Sequence, residues 1–282
     1  MSEPRIGLAL GGGGARGLAH IAMIEVFDEL GIKPTVIAGT SMGALIGAAY
    51  ASGLDAATIR DHAERVLANR AQLARLLFSP GAGRGVFDLI EFKLFGPMMV
   101  NGETLAKVVF PPGVADFVEA AAIPLKIIAT DFYGRREVLI ENGPMGTAVA
   151  ASIAIPGVIS GPRIGGRLMV DGGITNPVPF EHVQAASDIV VAVDVIGGPI
   201  ERRAKGPSNF DLAMGASQVL MRQIARLKRE RNPPDIYIEP LLDRFRVLEF
   251  FRAHEILAAA APAKDDLKRR LEEQLERAKG VS

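Results

Sequence analysis

Apolar positions follow two rhythms along this chain. Short runs such as Ile6-Gly7-Leu8-Ala9-Leu10, Ile127-Ile128-Ala129 and Val190-Val191-Ala192-Val193 have the length of buried strands. Longer segments repeat apolar residues at steps of three and four, as at Leu18, Ile21, Ala22, Ile24, Val26 and Leu30, and read as largely buried helices. Strands are predicted at 5–10, 34–38, 123–131, 136–140, 167–170, 189–194 and 235–239. Helices are predicted at 15–30, 43–52, 55–77, 144–154, 179–186, 210–231, 247–260 and 263–278. Their alternation implies an α/β fold with a mainly parallel central sheet and helices on both faces. With 282 residues, 49% of them hydrophobic, one domain over 1–282 is the default. Two regions depart from the plan. Residues 78–113 are rich in glycine, proline and large apolar side chains (Phe78, Phe87, Phe92, Phe95, Met98, Met99, Phe110), which suits a lid or, equally, an insertion with its own small core. The C-terminal helix within 262–282 spaces Leu267, Leu271 and Leu275 four apart, a narrow stripe suited to packing on its own domain, with a subunit contact as the second reading.

Two glycine-rich junctions carry the candidate chemistry. Thr35-Val36-Ile37-Ala38 leads directly into Gly39-Thr40-Ser41-Met42-Gly43, and the small and apolar residues Ala44 to Tyr50 follow. A serine framed by glycines between a strand and a helix is the pattern of a nucleophile elbow, whose strained turn projects the hydroxyl above the sheet edge. Side chains at Gly39 and Gly43 would collide with the neighbouring strand and helix. The second junction, Gly11-Gly12-Gly13-Gly14-Ala15-Arg16-Gly17, exposes N–H groups at a helix N-terminus and suits an anion. Gly12-x-Gly14-x-x-Gly17 fits a dinucleotide fingerprint, but the second strand ends Val36-Ile37-Ala38-Gly39-Thr40 without the acid that would hold a ribose. No Gly-Lys-Ser/Thr closes the turn as in a phosphate loop. The oxyanion of a tetrahedral acyl intermediate is the better match, because the elbow serine lies one strand later. Gly12, Gly13 and Gly14, with Met42 after the serine, are the expected donors.

A serine hydroxyl attacks poorly unless a base takes its proton. The histidines are His20, His62, His182 and His254. None sits on a glycine-marked loop after a strand, where an α/β-hydrolase places its histidine, so a core or surface role suits each better. Asp131, Asp171 and Asp194 each end an apolar strand-like run, the position where open α/β sheets put their chemistry. Asp171 stands apart because Gly172-Gly173 follows, which lets the backbone turn sharply and leaves the carboxylate uncrowded. Asp131 and Asp194 read as turn carboxylates that accept backbone N–H bonds.

These blocks resemble the bacterial patatin-like phospholipases, in the group similar to the catalytic domain of neuropathy target esterase. The resemblance rests on Gly11 to Gly17 with Arg16, on Gly39 to Gly43, and on Asp171-Gly172-Gly173. It extends to Ala151-Ser152-Ile153-Ala154-Ile155-Pro156-Gly157, Ile174-Thr175-Asn176-Pro177-Val178-Pro179, Ala129-Thr130-Asp131 and Asn232-Pro233-Pro234-Asp235, in order over roughly the first 260 residues. It implies a patatin-like three-layer fold and a Ser41–Asp171 dyad without a catalytic histidine. Ser41 would attack an ester of a phospholipid or lysophospholipid, with Asp171 accepting its proton, and water would release the fatty acid. No cofactor and no metal is required by that chemistry. Arg16 would fix the glycine loop, a headgroup phosphate contact being the second reading, and 78–113 stays open between an acyl-chain wall or lid and a self-packed insertion. The alternative is a catalytically weak regulatory or partner-binding protein on the same fold. Intact Ser41 and Asp171 count against it.

Charge and composition narrow the partners. A formal net charge of zero argues against nucleic acid. The chain has no cysteine, which removes disulfides and thiolate metal sites and fits a reducing compartment. Met1-Ser2-Glu3-Pro4-Arg5 runs straight into the first strand, leaving no room for a signal peptide. No apolar stretch reaches the length of a membrane span, Ala148 to Gly161 being broken by Ser152 and Pro156. The expectation is a cytoplasmic protein with at most peripheral membrane contact. The basic run Arg226, Lys228, Arg229 and Arg231 reads as a solvated helix face in preference to a headgroup site.

Overall fold

The computed structural model describes residues 3–68, 90–91, 99–200, 206–278 and 280. Its strands are β1 (Ile6–Leu10), β2 (Val36–Thr40), β3 (Ile90–Glu91), β4 (Met99–Asn101), β5 (Leu125–Asp131), β6 (Arg136–Ile140), β7 (Ile159–Ser160), β8 (Arg163–Ile164), β9 (Arg167–Asp171), β10 (Ile189–Val193) and β11 (Ile236–Ile238). Its α-helices are α1 (Ala19–Glu29), α2 (Met42–Ala51), α3 (Ala56–Ala68), α4 (Gly102–Val109), α5 (Met145–Ser152), α6 (Glu181–Gln184), α7 (Asn209–Arg231), α8 (Ala253–Ala259) and α9 (Ala261–Ala278).

The strands are apolar on both faces because helices cover both. Ile6, Leu8 and Leu10 of β1 join the larger core, with residues of α1, α2, α5, α8 and α9. Ala9 between them joins Val178, Phe180, Val183 and Ala225 on the opposite face, under α6 and α7. In β10, Ile189, Val191 and Val193 go one way and Val190 and Ala192 the other, as the two-residue period of a strand requires. Each large aliphatic side chain so buried contributes roughly 1.5–3 kcal/mol. The expected three layers are present. Leu267 and Leu271 of α9 are buried in the larger core and Leu275 packs against it, so the leucine stripe docks on its own chain, beside α1 and β11.

The topology sets up the site. Strands β11, β10, β1, β2 and β5 run parallel in that order. Three strands then share β5. β6 returns antiparallel along Ile127–Asp131 and occupies one edge. On the other edge, β2 pairs with Leu125–Ile128 and β9 pairs antiparallel with Ala129–Asp131. β2 ends with Thr40 beside Ile128, and β9, arriving from the opposite direction, ends with Asp171 beside Ala129. The C-terminal ends of two strands therefore meet head to head, one step of register apart.

Several predicted boundaries move. Helix 15–30 begins as a 3-10 turn, Gly14–Leu18, before α1. Helix 247–260 shortens to a 3-10 turn at Phe250–Arg252 followed by α8, because the Glu249 carboxylate accepts the Arg246 N–H (3.1 Å) and holds a turn ahead of it. Of helix 55–77, the part beyond Ala68 lies outside the described residues. So does most of 78–98, and with it most of the expected lid. The described end of that segment forms β4 and α4, whose N-terminus is capped by Asn101 Oδ1 accepting the Thr104 N–H (2.9 Å). β3, β4 and β7 form a small second sheet. Among the described residues no helix is long and apolar enough to cross a membrane.

Candidate active site

Ser41 lies between β2 and α2 with φ +54° and ψ −121°. A residue with a Cβ is strained there by on the order of 1–3 kcal/mol. Its flanks hold it in place. A Cβ on Gly43 would sit 2.0 Å from the Leu10 carbonyl oxygen of β1, and one on Gly39 would sit 2.6 Å from the Gly43 oxygen, so the turn closes only with glycine at both positions. The Thr40 hydroxyl donates to the Asn176 carbonyl (2.8 Å), and the Ser41 N–H donates to Oγ of the fully buried Ser152 (2.8 Å).

Ser41 Oγ donates to Asp171 Oδ2 at 2.8 Å. The second carboxylate oxygen, Oδ1, accepts the Gly173 N–H at 2.7 Å, and Thr130 Oγ1 donates to the Asp171 carbonyl at 3.0 Å. Both partners are buried, Ser41 at 4% and Asp171 at 7% exposure. Burial pushes the Asp171 carboxyl up to about 6, against the Gly173 and Ser41 donors, which favour the ion. It is thus ionised at neutral pH yet more basic than an ordinary carboxylate, which suits proton abstraction. The chain turns sharply after it, Gly172–Ile174 forming a 3-10 turn without a positive φ at either glycine, and the glycines also permit close approach. A Cβ on Gly172 would meet the Ile128 carbonyl oxygen at 2.2 Å, and one on Gly173 the Met221 Cε at 2.6 Å.

The glycine loop separates into anchored and open peptides. The N–H groups of Gly11 and Gly12 donate to the carbonyls of Val193 and Pro177, both at 2.9 Å. Gly12 therefore drops out of the expected oxyanion donors, because its N–H is already tied to neighbouring backbone. Gly13 and Gly14 line a cavity beside Ser41, and their N–H groups have no acceptor among the described residues. Gly14 adopts φ +58°, and a Cβ there would meet the Val247 oxygen at 2.2 Å. Met42 opens α2, where first-turn N–H groups lack intrahelical partners. Gly17 lies against it, a Cβ there meeting Met42 Cβ at 2.3 Å.

Arg16 is 1% exposed and ties the loop down. Its Nε donates to the Gly13 carbonyl and its Nη1 to the Phe245 carbonyl, both at 3.3 Å. With the Gln218 amide oriented to donate to the Gly198 carbonyl (3.2 Å), its oxygen accepts from Arg16 Nη2 (3.1 Å). Burial holds the guanidinium down at about 10, so it remains charged at neutral pH. A trans peptide points its N–H opposite its C=O. Fixing the Gly13 oxygen therefore fixes the direction of the Gly14 N–H.

The Ser41–Asp171 pair borders a cavity of about 190 Å³. Apart from the pair, Arg16 and the glycines, its lining is mainly apolar: Ile155, Pro156, Ile174, Ile196 and Val247, with Phe210, Ala213, Met214 and Met221 from α7. Among the described residues α7 supplies four of the nine apolar residues on this wall, while most of 78–98, within the expected lid, lies outside them.

The remaining polar residues are accounted for elsewhere. Buried His20 donates Nε2–H to the Gly11 carbonyl (2.7 Å), and burial lowers it to about 4, so it stays neutral. His62 Nε2 contacts the Val109 carbonyl (3.2 Å), His182 pairs with Glu137, and the side chain of His254 is 80% exposed. None of the four lines the cavity. Asp131 Oδ1 accepts the Gly134 N–H (2.9 Å), and Asp194 Oδ1 accepts the Ile196 N–H (2.8 Å), so both are turn carboxylates as expected. Glu137, Glu181 and His182 cluster closely enough to share a cation, but Lys228 Nζ already donates to Glu181 there (2.5 Å). Sequence reasoning missed Ser152 and Gln218. Ser152 lay within the quoted block Ala151 to Gly157, but a lone serine in an apolar helix gives no hint of its partner.

A model of the family described as patatin-like phospholipase matches residues 8–183, a span that includes the glycine loop, Ser41 and Asp171. Proteins named as members of the NTE family in Mycobacterium tuberculosis and Mycobacterium bovis are each 37% identical over 197 residues, covering 70% of this chain and 50% of theirs. A lysophospholipase NTE1 of Pyricularia oryzae is 26% identical over 283 residues, covering 89% of this chain and 18% of that protein. The chain thus spans half the length of the mycobacterial relatives and far less of the fungal one. Among solved structures, VipD from Legionella pneumophila matches with a TM-score of 0.53 at 14% identity, over 95% of this chain and 67% of that one. That likeness is one of fold.

Proposed function

The chain belongs to the patatin-like phospholipase family, and we propose that it is a serine acyl hydrolase that cleaves fatty-acyl esters of phospholipids or lysophospholipids through an acyl-enzyme. The observation that carries this reading is the 2.8 Å bond from a strained, buried Ser41 hydroxyl to the Asp171 carboxylate at the wall of an apolar cavity. Ser41 Oγ attacks the ester carbonyl carbon while its proton passes to Asp171 Oδ2. Charge gathers on the carbonyl oxygen, where the N–H groups of Gly13, Gly14 and Met42 meet it. One such donor is worth roughly 2.7–4 kcal/mol to a transition state in a well-studied protease. When the intermediate collapses, Asp171 returns the proton to the departing alkoxide. Water then attacks the acyl-enzyme, giving its proton to Asp171, and the fatty acid leaves as Ser41 is regenerated. The apolar cavity wall suits the acyl chain and excludes competing water.

The test is fatty-acid release, followed by mass spectrometry, from mixed phospholipids and lysophospholipids presented to the full chain. The wild type should release fatty acid and Ser41→Ala should not. A wild-type chain that leaves every ester intact, or a Ser41→Ala variant that matches it, would overturn the reading.

A further inference from the structure

Helix α7 is apolar on two faces, and the described residues of the fold use one. The inner face lines the cavity through Phe210, Met214 and Met221. The outer face carries Leu212, Val219, Leu220 and Leu227, which are 56%, 46%, 64% and 58% exposed. At 100° per residue these four fall within an arc of about 100°, a stripe ~22 Å long. Towards its C-terminal end Arg226 and Arg231 flank the stripe on either side, Arg226 lying 3.9 Å from Glu230, while Arg229 is turned onto the Tyr237 ring. The cavity has an apolar rim of its own, since Phe210 and Ile174 line the cavity and are also 45% and 43% exposed.

We infer that the outer face of α7 docks on an anionic lipid surface, with the helix lying in the plane of the headgroups. This rests on the phospholipid reading of the site. Two arguments select this occupant. A stripe ~22 Å long and ~10 Å wide offers about 220 Å², well short of the ~800 Å² per partner of a stable protein interface, so a second copy is a poor fit. An interfacial helix needs only an apolar face of this width and cationic residues beside it, and α7 has both. Because the inner face of the same helix walls the cavity, docking would hold the site one helix diameter, ~10 Å, from the surface that contains its substrate.

The experiment is sedimentation of the full chain with phosphatidylcholine vesicles, with and without phosphatidylglycerol. The wild type should bind, more tightly to the anionic vesicles. Leu220→Asp with Leu227→Asp, neither of which lines the cavity, should lower vesicle partition at least tenfold while hydrolysis of a water-soluble short-chain ester and the melting temperature stay unchanged. Arg226→Glu with Arg231→Glu should erase the preference for anionic vesicles. Binding without any ester hydrolysis would support docking and count against the catalytic reading alone. Leucine variants that bind as the wild type does, a wild type that ignores both vesicles, or a wild-type dimer that these variants dissociate would overturn the inference.

Discussion

Asp171 and Asp194 each stand at the end of a strand in the same sheet, each is buried, and in each burial lifts the carboxyl to about 6. Each Oδ1 accepts a backbone N–H from two residues further on, at 2.7 Å from Gly173 and 2.8 Å from Ile196. They part at Oδ2. Asp171 faces the Ser41 hydroxyl on a cavity wall, whereas Asp194 faces the Tyr237 hydroxyl (2.6 Å) and does not line that cavity. Burial holds the Tyr237 phenol well above its ordinary range, so it stays protonated as a donor. A shifted carboxyl marks a candidate site, but it is the hydroxyl it faces, and that hydroxyl's access to a substrate, that separates chemistry from architecture.

Exchanging each carboxylate for its amide tests that separation most severely. Asp171→Asn should lower kcat/KM on a soluble ester by on the order of 10³–10⁴, because the amide cannot accept the serine proton. Asp194→Asn should change it by less than about threefold, or under 1 kcal/mol of barrier. Equal losses would erase the distinction.

The pH dependence sharpens the same pair. Both carboxyls titrate higher in the fold than in the unfolded chain, so the native state resists ionising them. The stability at stake is fully present below about 4 and is lost as pH rises through about 6. Relative to the wild type, each amide variant should therefore gain stability between pH 4 and 7, by on the order of 3 kcal/mol, measured by urea unfolding. The gain should be similar in both, although the activities differ. In the wild type and in Asp194→Asn, kcat/KM should fall below pH of about 6 as Asp171 takes up a proton. Loss of that acid limb in Asp194→Asn would assign it to the wrong residue.

Smaller effects concern the supports. Ser152→Ala leaves the Ser41 N–H unpaired in a buried place, a cost of about 1–3 kcal/mol that should fall on kcat, tenfold or more, with little change in KM. Tyr237→Phe removes one donor from Asp194 and should cost about 1 kcal/mol of stability, with activity intact. A Tyr237→Phe variant with impaired turnover would draw the second aspartate into the chemistry.

How much of this was legible in the chain depends on how local each feature is. The elbow was legible because strand, glycine, serine and glycine are neighbours, and the strained turn at Ser41 follows from that order. Asp171 was reached by a rule made for parallel strands, yet β9 is antiparallel to β5. The rule points to the carboxylate that the fold sets beside Ser41 because β5 outruns β2 by Ala129–Asp131 and β9 pairs with the overhang, a register that no short stretch of sequence encodes. The four-glycine loop suits an anion but does not tell which peptides are open, since the Gly12 N–H is taken by Pro177, far along the chain. The phenylalanines of 78–113 suit an acyl wall and a self-packed insertion equally, and most of them lie outside the described residues. The apolar residues of α7 that line the cavity are scattered among polar ones, and no local pattern marks them.

The central claim is that Ser41 is the nucleophile and Asp171 its base. A fluorophosphonate reagent, which forms a covalent bond only with an activated serine, tests both halves at once when the labelled peptide is identified by mass spectrometry. The account predicts modification of Ser41 in the wild type and at a similar rate in Asp194→Asn, with labelling slowed by orders of magnitude in Asp171→Asn. Label on a different serine, or on Ser41 at the wild-type rate in Asp171→Asn, would contradict it.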